Sequence, residues 1–231
     1  MGETGDPLVF ARRGRVRGPS ARSNSWWGRA WVRSFEETVL EASDLITARA
    51  LARSGRLGAV MVISGMASAV MDPGSPTAVI AQIRVRRLAG RDWDAFAVEL
   101  AREAGHLAAL ESGELPTDLV EHADQVGVEI VPGPGDLDTA CECESWAQPC
   151  LHALALLYQL AWLMDTNPYV LLLLRGRTRE QLQDPRAEAV EANEAAARAA
   201  TILALAEDAP TGHGLADTAV AAYDDEVSRL L

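Results

Sequence analysis

The twelve residues CECESWAQPCLH, at 141–152, hold all three cysteines of the chain and a histidine two residues beyond the last. Cysteine and neutral histidine are the ligands that zinc takes in tetrahedral sites. Cys141-Glu142-Cys143 and Cys150-Leu151-His152 share one spacing, i and i+2. On a straight strand two such side chains lie on one face about 7 Å apart, so they converge on an ion only if the backbone turns. The six residues between the pairs, 144–149, are enough to bring one pair onto the other, and Pro149 helps set the turn before the second. Three buried cysteines and an ordinary helical histidine are the bland alternative, which leaves the clustering and the shared spacing to chance. The expectation is one Zn2+ held by Cys141, Cys143, Cys150 and His152. Four protein ligands leave no position for water, so this zinc is structural, and its binding free energy is folding free energy for a loop with little core.

Elements on either side must hold the two pairs. After the cluster, residues 150–164 read as a buried helix, broken by Asn167-Pro168. YVLLLLRGR follows as a short buried turn or helix, and Thr178 with Gln181 fits a capping box. Before the cluster, PGPG at 132–135 is a loop and residues 128–131 a short strand candidate. Further upstream the period changes. LGAVMVISGMASAV and TAVIAQIRVRRL, separated by Asp72-Pro73-Gly74-Ser75-Pro76, read as strands joined by a turn. Gly65 either splits the first run into two strands or marks a bulge.

Helices flank these strands. One apolar stripe carries Trp27, Trp31, Phe35, Val39 and Ile46, with Gly55 as its stop. Another helix starts at the candidate N-cap Asp92 and runs through Trp93, Phe96, Leu100, Ala104 and Leu107 to Gly113. A shorter one starts at Pro116 or Thr117 and stops at Gly127. The expected fold class is α+β: a small antiparallel strand unit surrounded by helices, with a zinc-stabilised strand-loop-helix finger and a helical C-terminal tail. The chain divides into a basic, partly flexible arm at 1–24, a zinc-binding domain at 25–183, and an Ala/Glu-rich tail at 184–231 with helices over 187–207 and 215–231.

Net charge is -12 over 231 residues, and it is unevenly spread. Residues 1–60 hold ten Arg against six acids, and the remainder eleven Arg against twenty-seven. Such a chain repels polyphosphate overall, so nucleic acid needs a local basic surface. Two places offer one: Arg12, Arg13, Arg15, Arg17 and Arg22 in the arm, and Arg84, Arg86 and Arg87 at the end of a strand. In both places solvated surface is the favoured reading. Tryptophans interleaved with arginines at 26–33 can stack on bases, but their spacing of four favours a core face. The longest apolar stretch, 153–164, is too short to span a bilayer, and no apolar segment follows the start Met, so a cytoplasmic protein with no membrane contact is expected.

C-x-C, six residues, C-x-H is the pattern of the SWIM zinc finger, and the flanking text resembles that of bacterial, especially actinobacterial, SWIM-domain proteins. The similar stretches are WWGRAWVRSFE at 26–36, ARSGRLGAV at 52–60, the Trp93 helix, SGELPTDL at 112–119, CECESWAQPCLHALALLYQLA at 141–161 and LLLLRGRTREQL at 171–182. The resemblance implies a zinc-bound module with a strand-loop-helix core, carrying Cys141, Cys143, Cys150 and His152 as ligands. It also implies association with helicase-like ATPases of the Swi/Snf type, and binding to DNA or to proteins. Leu151 stands where the family commonly has a basic residue, and MDPGSP where it commonly has a polar, often basic turn. Asp136, Asp138, Glu142 and Glu144 surround the cluster, and three thiolates with Zn2+ already sum to -1. A finger of this charge is expected to buttress the fold or to present a surface to a protein rather than to hold phosphate.

Enzyme motifs are missing from the sequence. There is no G-x-x-x-x-G-K-[ST], no lysine for one, and no G-x-S-x-G. His106, His122 and His213 stand isolated in the sequence, and no small-molecule substrate is evident. Two readings of function remain. The first is a non-enzymatic interaction module, an accessory subunit or adaptor of a helicase-like ATPase or other nucleic-acid-processing machine. The second is a direct DNA- or RNA-binding protein that uses its Arg-rich N-terminal region.

Overall fold

A five-stranded antiparallel sheet in simple sequential order carries the fold, in a computed structural model that describes residues 7–16 and 22–183. Strand β1 is Leu8–Phe10. Helix α1, Trp26–Glu36, and helix α2, Ala42–Arg53, follow, then strands β2, Leu57–Ile63, β3, Met66–Met71, and β4, Val79–Val85. Next come helices α3, Gly90–Arg102, α4, Ala104–Glu111, and α5, Thr117–Gln125. A short 3-10 turn at Pro134–Asp136 leads into strand β5, Leu137–Cys141. Helices α6, Leu151–Met164, α7, Tyr169–Arg175, and α8, Arg179–Gln183, complete the described chain. The expected helices over 187–207 and 215–231 lie outside the described residues, as does Arg17.

The strand run folds as its periodicity predicts. Gly65 splits it, with φ +77, at the tight turn between β2 and β3, and the DPGSP stretch joins β3 to β4. Two strands were not expected. Leu8–Phe10 of the basic arm pairs with β2, with Val9 opposite Met61, so this part of the arm belongs to the sheet. Residues 137–141 pair with β4, whereas 128–131 are unpaired coil that buries Val128 and Ile130. The sheet is therefore larger than the expected strand unit, and among the described residues the helices pack on one of its faces. One face packs on α6 and α7, while Val9, Met61, Val70 and Ile80 are exposed on the other.

Helix α6 is apolar all round and accordingly buried, with Leu154, Leu156, Leu157 and Leu160 at its centre. Helix α1 lays Trp27, Trp31 and Phe35 on it, and the indole N–H groups of Trp27 and Trp31 donate to the Met164 and Leu157 carbonyls at 3.0 Å. These rings are core, not a stacking platform. The expected stripe breaks after Phe35. The chain leaves the helix at 37–41 and restarts, so that α2 turns Ala48 and Ala52 inward and leaves Ile46 exposed. The Trp93 helix breaks likewise at Glu103, whose extended backbone (φ -128, ψ 123) separates α3 from α4 and leaves Ala104 exposed. Asp92 sits inside this helix rather than capping it, its carboxylate accepting from the Ala89 N–H at 3.1 Å. The capping box at Thr178 and Gln181 forms in both directions. No helix among the described residues is long and apolar enough to cross a membrane.

Candidate metal centre

The first cysteine of the cluster is the last residue of β5, opposite Ala81 on β4. One residue further the ladder passes to a side chain. The Glu142 N–H donates to the Ile80 carbonyl at 3.1 Å, and the Ile80 N–H donates back to the Glu142 carboxylate at 2.9 Å. A carboxylate in place of the next backbone carbonyl satisfies β4 while freeing the main chain to bend at Cys143. That bend is what the i, i+2 spacing requires. The loop then crosses back, fixed by Ser145 Oγ accepting from the Ala147 N–H at 3.2 Å and by Thr139 reaching Gln148 at 3.4 Å. The Gln148-Pro149 peptide is cis.

The second pair belongs to α6. Cys150 is its N-cap, extended at φ -76 and ψ 168, with its sulfur accepting from the Ala153 N–H at 3.5 Å. An N-cap sulfur receives a backbone donor and the positive end of the helix, both of which favour thiolate. His152 stands half-buried in the first turn. Its Nδ1 lies 3.7 Å from the Cys141 sulfur, and the ligand atoms of Cys141, Cys143, Cys150 and His152 all fall within 4.8 Å of one another. Tetrahedral zinc, with Zn–S near 2.3 Å and Zn–N near 2.1 Å, sets its ligand atoms roughly 3.6 Å apart. The four residues therefore fit one zinc ion as they stand, with ligands drawn from a strand end, a bend and a helix start.

Burial pushes the Cys141 thiol up to about 12 and raises Cys150, while it lowers His152. The imidazole is thus held in its neutral, ligand-competent form, and metal entry must displace thiol protons. Close by, Arg56 at the start of β2 grips Asp72 after β3 in a bidentate pair, at 2.8 and 2.5 Å. This pair holds the Asp72 carboxyl below its ordinary value, and both charges act on His152.

The arginines of the N-terminal arm and of β4 do not form one surface, because β1 and β4 stand three strand spacings, about 14 Å, apart. Most have partners within the protein. Arg12 donates to the Gly55 carbonyl at 2.7 Å, and Arg13 lies over the Trp162 ring at 4.9 Å. Arg22 pairs with Glu36 at 2.8 Å, Arg84 with Asp138 at 3.7 Å and Arg86 with Asp136 at 2.5 Å. The Arg87 stem crosses Gly65 and Gly176, two positions of positive φ, and Arg15 is exposed. Three of the four acids around the cluster are thus engaged: Asp136 and Asp138 by arginine, Glu142 by the Ile80 amide.

Three features escaped the sequence reading. Arg175, 2% exposed, donates to the carbonyls of Arg86 at 2.6 Å and Glu129 at 2.8 Å and lies 3.4 Å from Asp136, tying α7 to the turn that launches β5. Trp146, 96% exposed, projects from the loop between the ligand pairs, and its place among polar residues was the available signal. His106, isolated in the sequence, is not isolated in space, since Glu103 and Asp118 converge on it; Glu103-x-x-His106 was the signal there.

No family model matches the chain, and no solved structure matches it. The chain is similar to Rv2102, an uncharacterized protein of Mycobacterium tuberculosis, at 30% identity over 190 residues. The match covers 80% of this chain and 65% of the relative, so the chain spans less than two thirds of the relative's length.

Proposed function

We propose that this protein is a non-enzymatic zinc-binding interaction module of the SWIM type, an accessory subunit or adaptor of a helicase-like, Swi/Snf-type ATPase or another nucleic-acid-processing machine. The observation that carries the reading is the pairing of a saturated centre with an exposed anchor. Four ligands converge with no open position for a substrate, and the loop between them holds Trp146 out at 96% exposure. A tryptophan on a metal-braced loop is the kind of rigid aromatic anchor that dominates protein interfaces. Glu144 beside it is exposed, so the loop favours a partner segment with basic character over phosphate.

The test is a binding titration between the zinc-loaded full chain and a bacterial Swi/Snf-type ATPase. Trp146→Ala is expected to weaken the complex at least tenfold while leaving zinc content at one per chain. Equal binding by that variant, or no complex with the ATPase, would sink the reading.

Direct nucleic-acid binding is the second reading, and one observation favours it. Arg22, Arg29 and Arg33 line a single cleft of about 490 Å3 beside α1. The one acid of that cleft, Glu36, already accepts from the Tyr158 hydroxyl at 2.6 Å as well as from Arg22. Under this reading the full chain binds single- or double-stranded DNA with a steep salt dependence, and changing Arg29 and Arg33 to alanine flattens the slope by about two. An absence of binding at low salt removes it.

A further inference from the structure

The backbone break at Glu103 brings three metal-ligating groups together well away in sequence from the cysteines. His106, 3% exposed, stands in the first turn of α4. Its Nδ1 lies 3.2 Å from the Glu99 carbonyl, which only accepts, so Nδ1 carries the ring proton. Its Nε2 faces the Asp118 carboxylate at 3.0 Å and the Glu103 carboxylate at 3.8 Å. In the neutral ring this is a lone pair aimed at two further acceptors, so either a second ring proton, which the Asp118 hydrogen bond favours, or a metal cation stands between them. One extra proton on Nε2 serves one oxygen and leaves the trio at -1. A divalent cation serves all three groups and balances both carboxylates. Arg102, the last residue of α3, does not supply the charge, since it is bonded to Glu99 at 2.7 Å.

The donor set is also that of a held metal ligand: an imidazole whose second nitrogen is anchored on a backbone carbonyl, which fixes the tautomer and the ring orientation. The three ligand atoms lie within 4.8 Å of one another, and the two carboxylates are about half-exposed and open to solvent. We propose that Glu103, His106 and Asp118 form a second metal site, separate from the cysteine centre, that takes one divalent transition-metal ion of the Zn2+/Mn2+ class and leaves its remaining positions to water. The imidazole nitrogen selects against Ca2+ and Mg2+, which prefer all-oxygen shells. The ion joins the α3–α4 corner to the first turn of α5. This site does not rest on the interaction reading given above.

The experiment uses the full chain with its cysteine centre already saturated with zinc, labelled with 15N at histidine, and titrated with Mn2+. The ring resonances of His106 are expected to broaden first among the four histidines. Glu103→Gln and Asp118→Asn, surface changes that keep side-chain volume, are each expected to raise the Mn2+ concentration required at least tenfold. Two outcomes overturn the proposal. One is a His106 ring that keeps protons on both nitrogens and stays sharp as Mn2+ is added, which makes the trio an ion pair with a proton only. The other is unchanged Mn2+ binding in both variants.

Discussion

Cys143 is the ligand that a strand cannot supply. Cys141 comes with β5 and Cys150 and His152 with α6, whereas Cys143 reaches the centre only because Glu142 takes over the ladder to Ile80. Cys143→Ser is therefore expected to cost the zinc outright and to lower the melting temperature. One zinc per chain retained by the purified variant would contradict the ligand assignment. Asp165 is a second residue on which much converges. It accepts from the hydroxyls of Ser23 and Ser25 and from the N–H groups of Asn24 and Ser25 at 2.9 Å. Burial alone would raise its carboxyl, but these donors outweigh it and hold it below the ordinary value of 3.8. A carboxyl depressed in the folded state contributes stability at neutral pH that is lost as pH falls through and below about 4. Asp165→Asn is expected to cost about 2 kcal/mol at pH 7 and much less at pH 3, read from urea midpoints at the two pH values. The convergence of Cys141, Cys143, Cys150 and His152 was legible in the sequence because residue type and shared spacing point to one cluster. Asp165, Glu142 and His106 were not, because their meaning comes from partners 12 to 142 residues away.

At the scale of elements, the joints carry the information that periodicity missed. Helix α1 contains Gly28 in an otherwise bulky sequence, WWGRAW. A Cβ there would lie 2.1 Å from Ser23 Oγ and 2.7 Å from an Asp165 carboxylate oxygen. Gly28→Ala would ordinarily favour a helix by about 1 kcal/mol. Here it is expected to destabilise the chain by about 2 kcal/mol, measured by chemical denaturation, because it splits the Asp165 cluster. Arg175→Met removes the tie between α7, residue 129 and Asp136, and leaves that buried carboxylate with Arg86 as its remaining cation. A loss of about 3 kcal/mol or more is expected, together with weaker protection of the β5 amides. The β2–β3–β4 meander, α5, α6 and the α8 cap were legible, since their apolar periods and Gly or Pro stops agree with the fold. β1 and β5 were not. β1 is three residues on a sheet edge, and β5 reads LDTAC, a sequence whose strand character comes from pairing with β4. The breaks at 37–41 and Glu103 carry no glycine or proline. They are imposed by what the next helix has to bury, Ala48 and Ala52 in one case and His106 in the other.

Over the described molecule the two kinds of stabilisation occupy different places. The core around Trp31, Phe35, α6 and α7 is apolar and needs no metal, whereas residues 137–152 are held by one strand pairing and the cysteine centre. Chelation of zinc at neutral pH is therefore expected to raise amide exchange across β5, the cysteine loop and the first turn of α6, while the rest of α6 stays protected. Global unfolding on chelation would refute this division. β5 is also the cover on one side of the sheet: it pairs with β4 from Ala81 to Val85, and Glu142 just beyond it takes both hydrogen-bonding groups of Ile80. When it detaches, β4 becomes a bare edge next to the exposed side chains of Val70 and Ile80, which is how chains begin to associate strand to strand. If the four residues hold zinc as proposed, chains made without the metal are expected to be compact, correctly packed at their centres, and adhesive to one another.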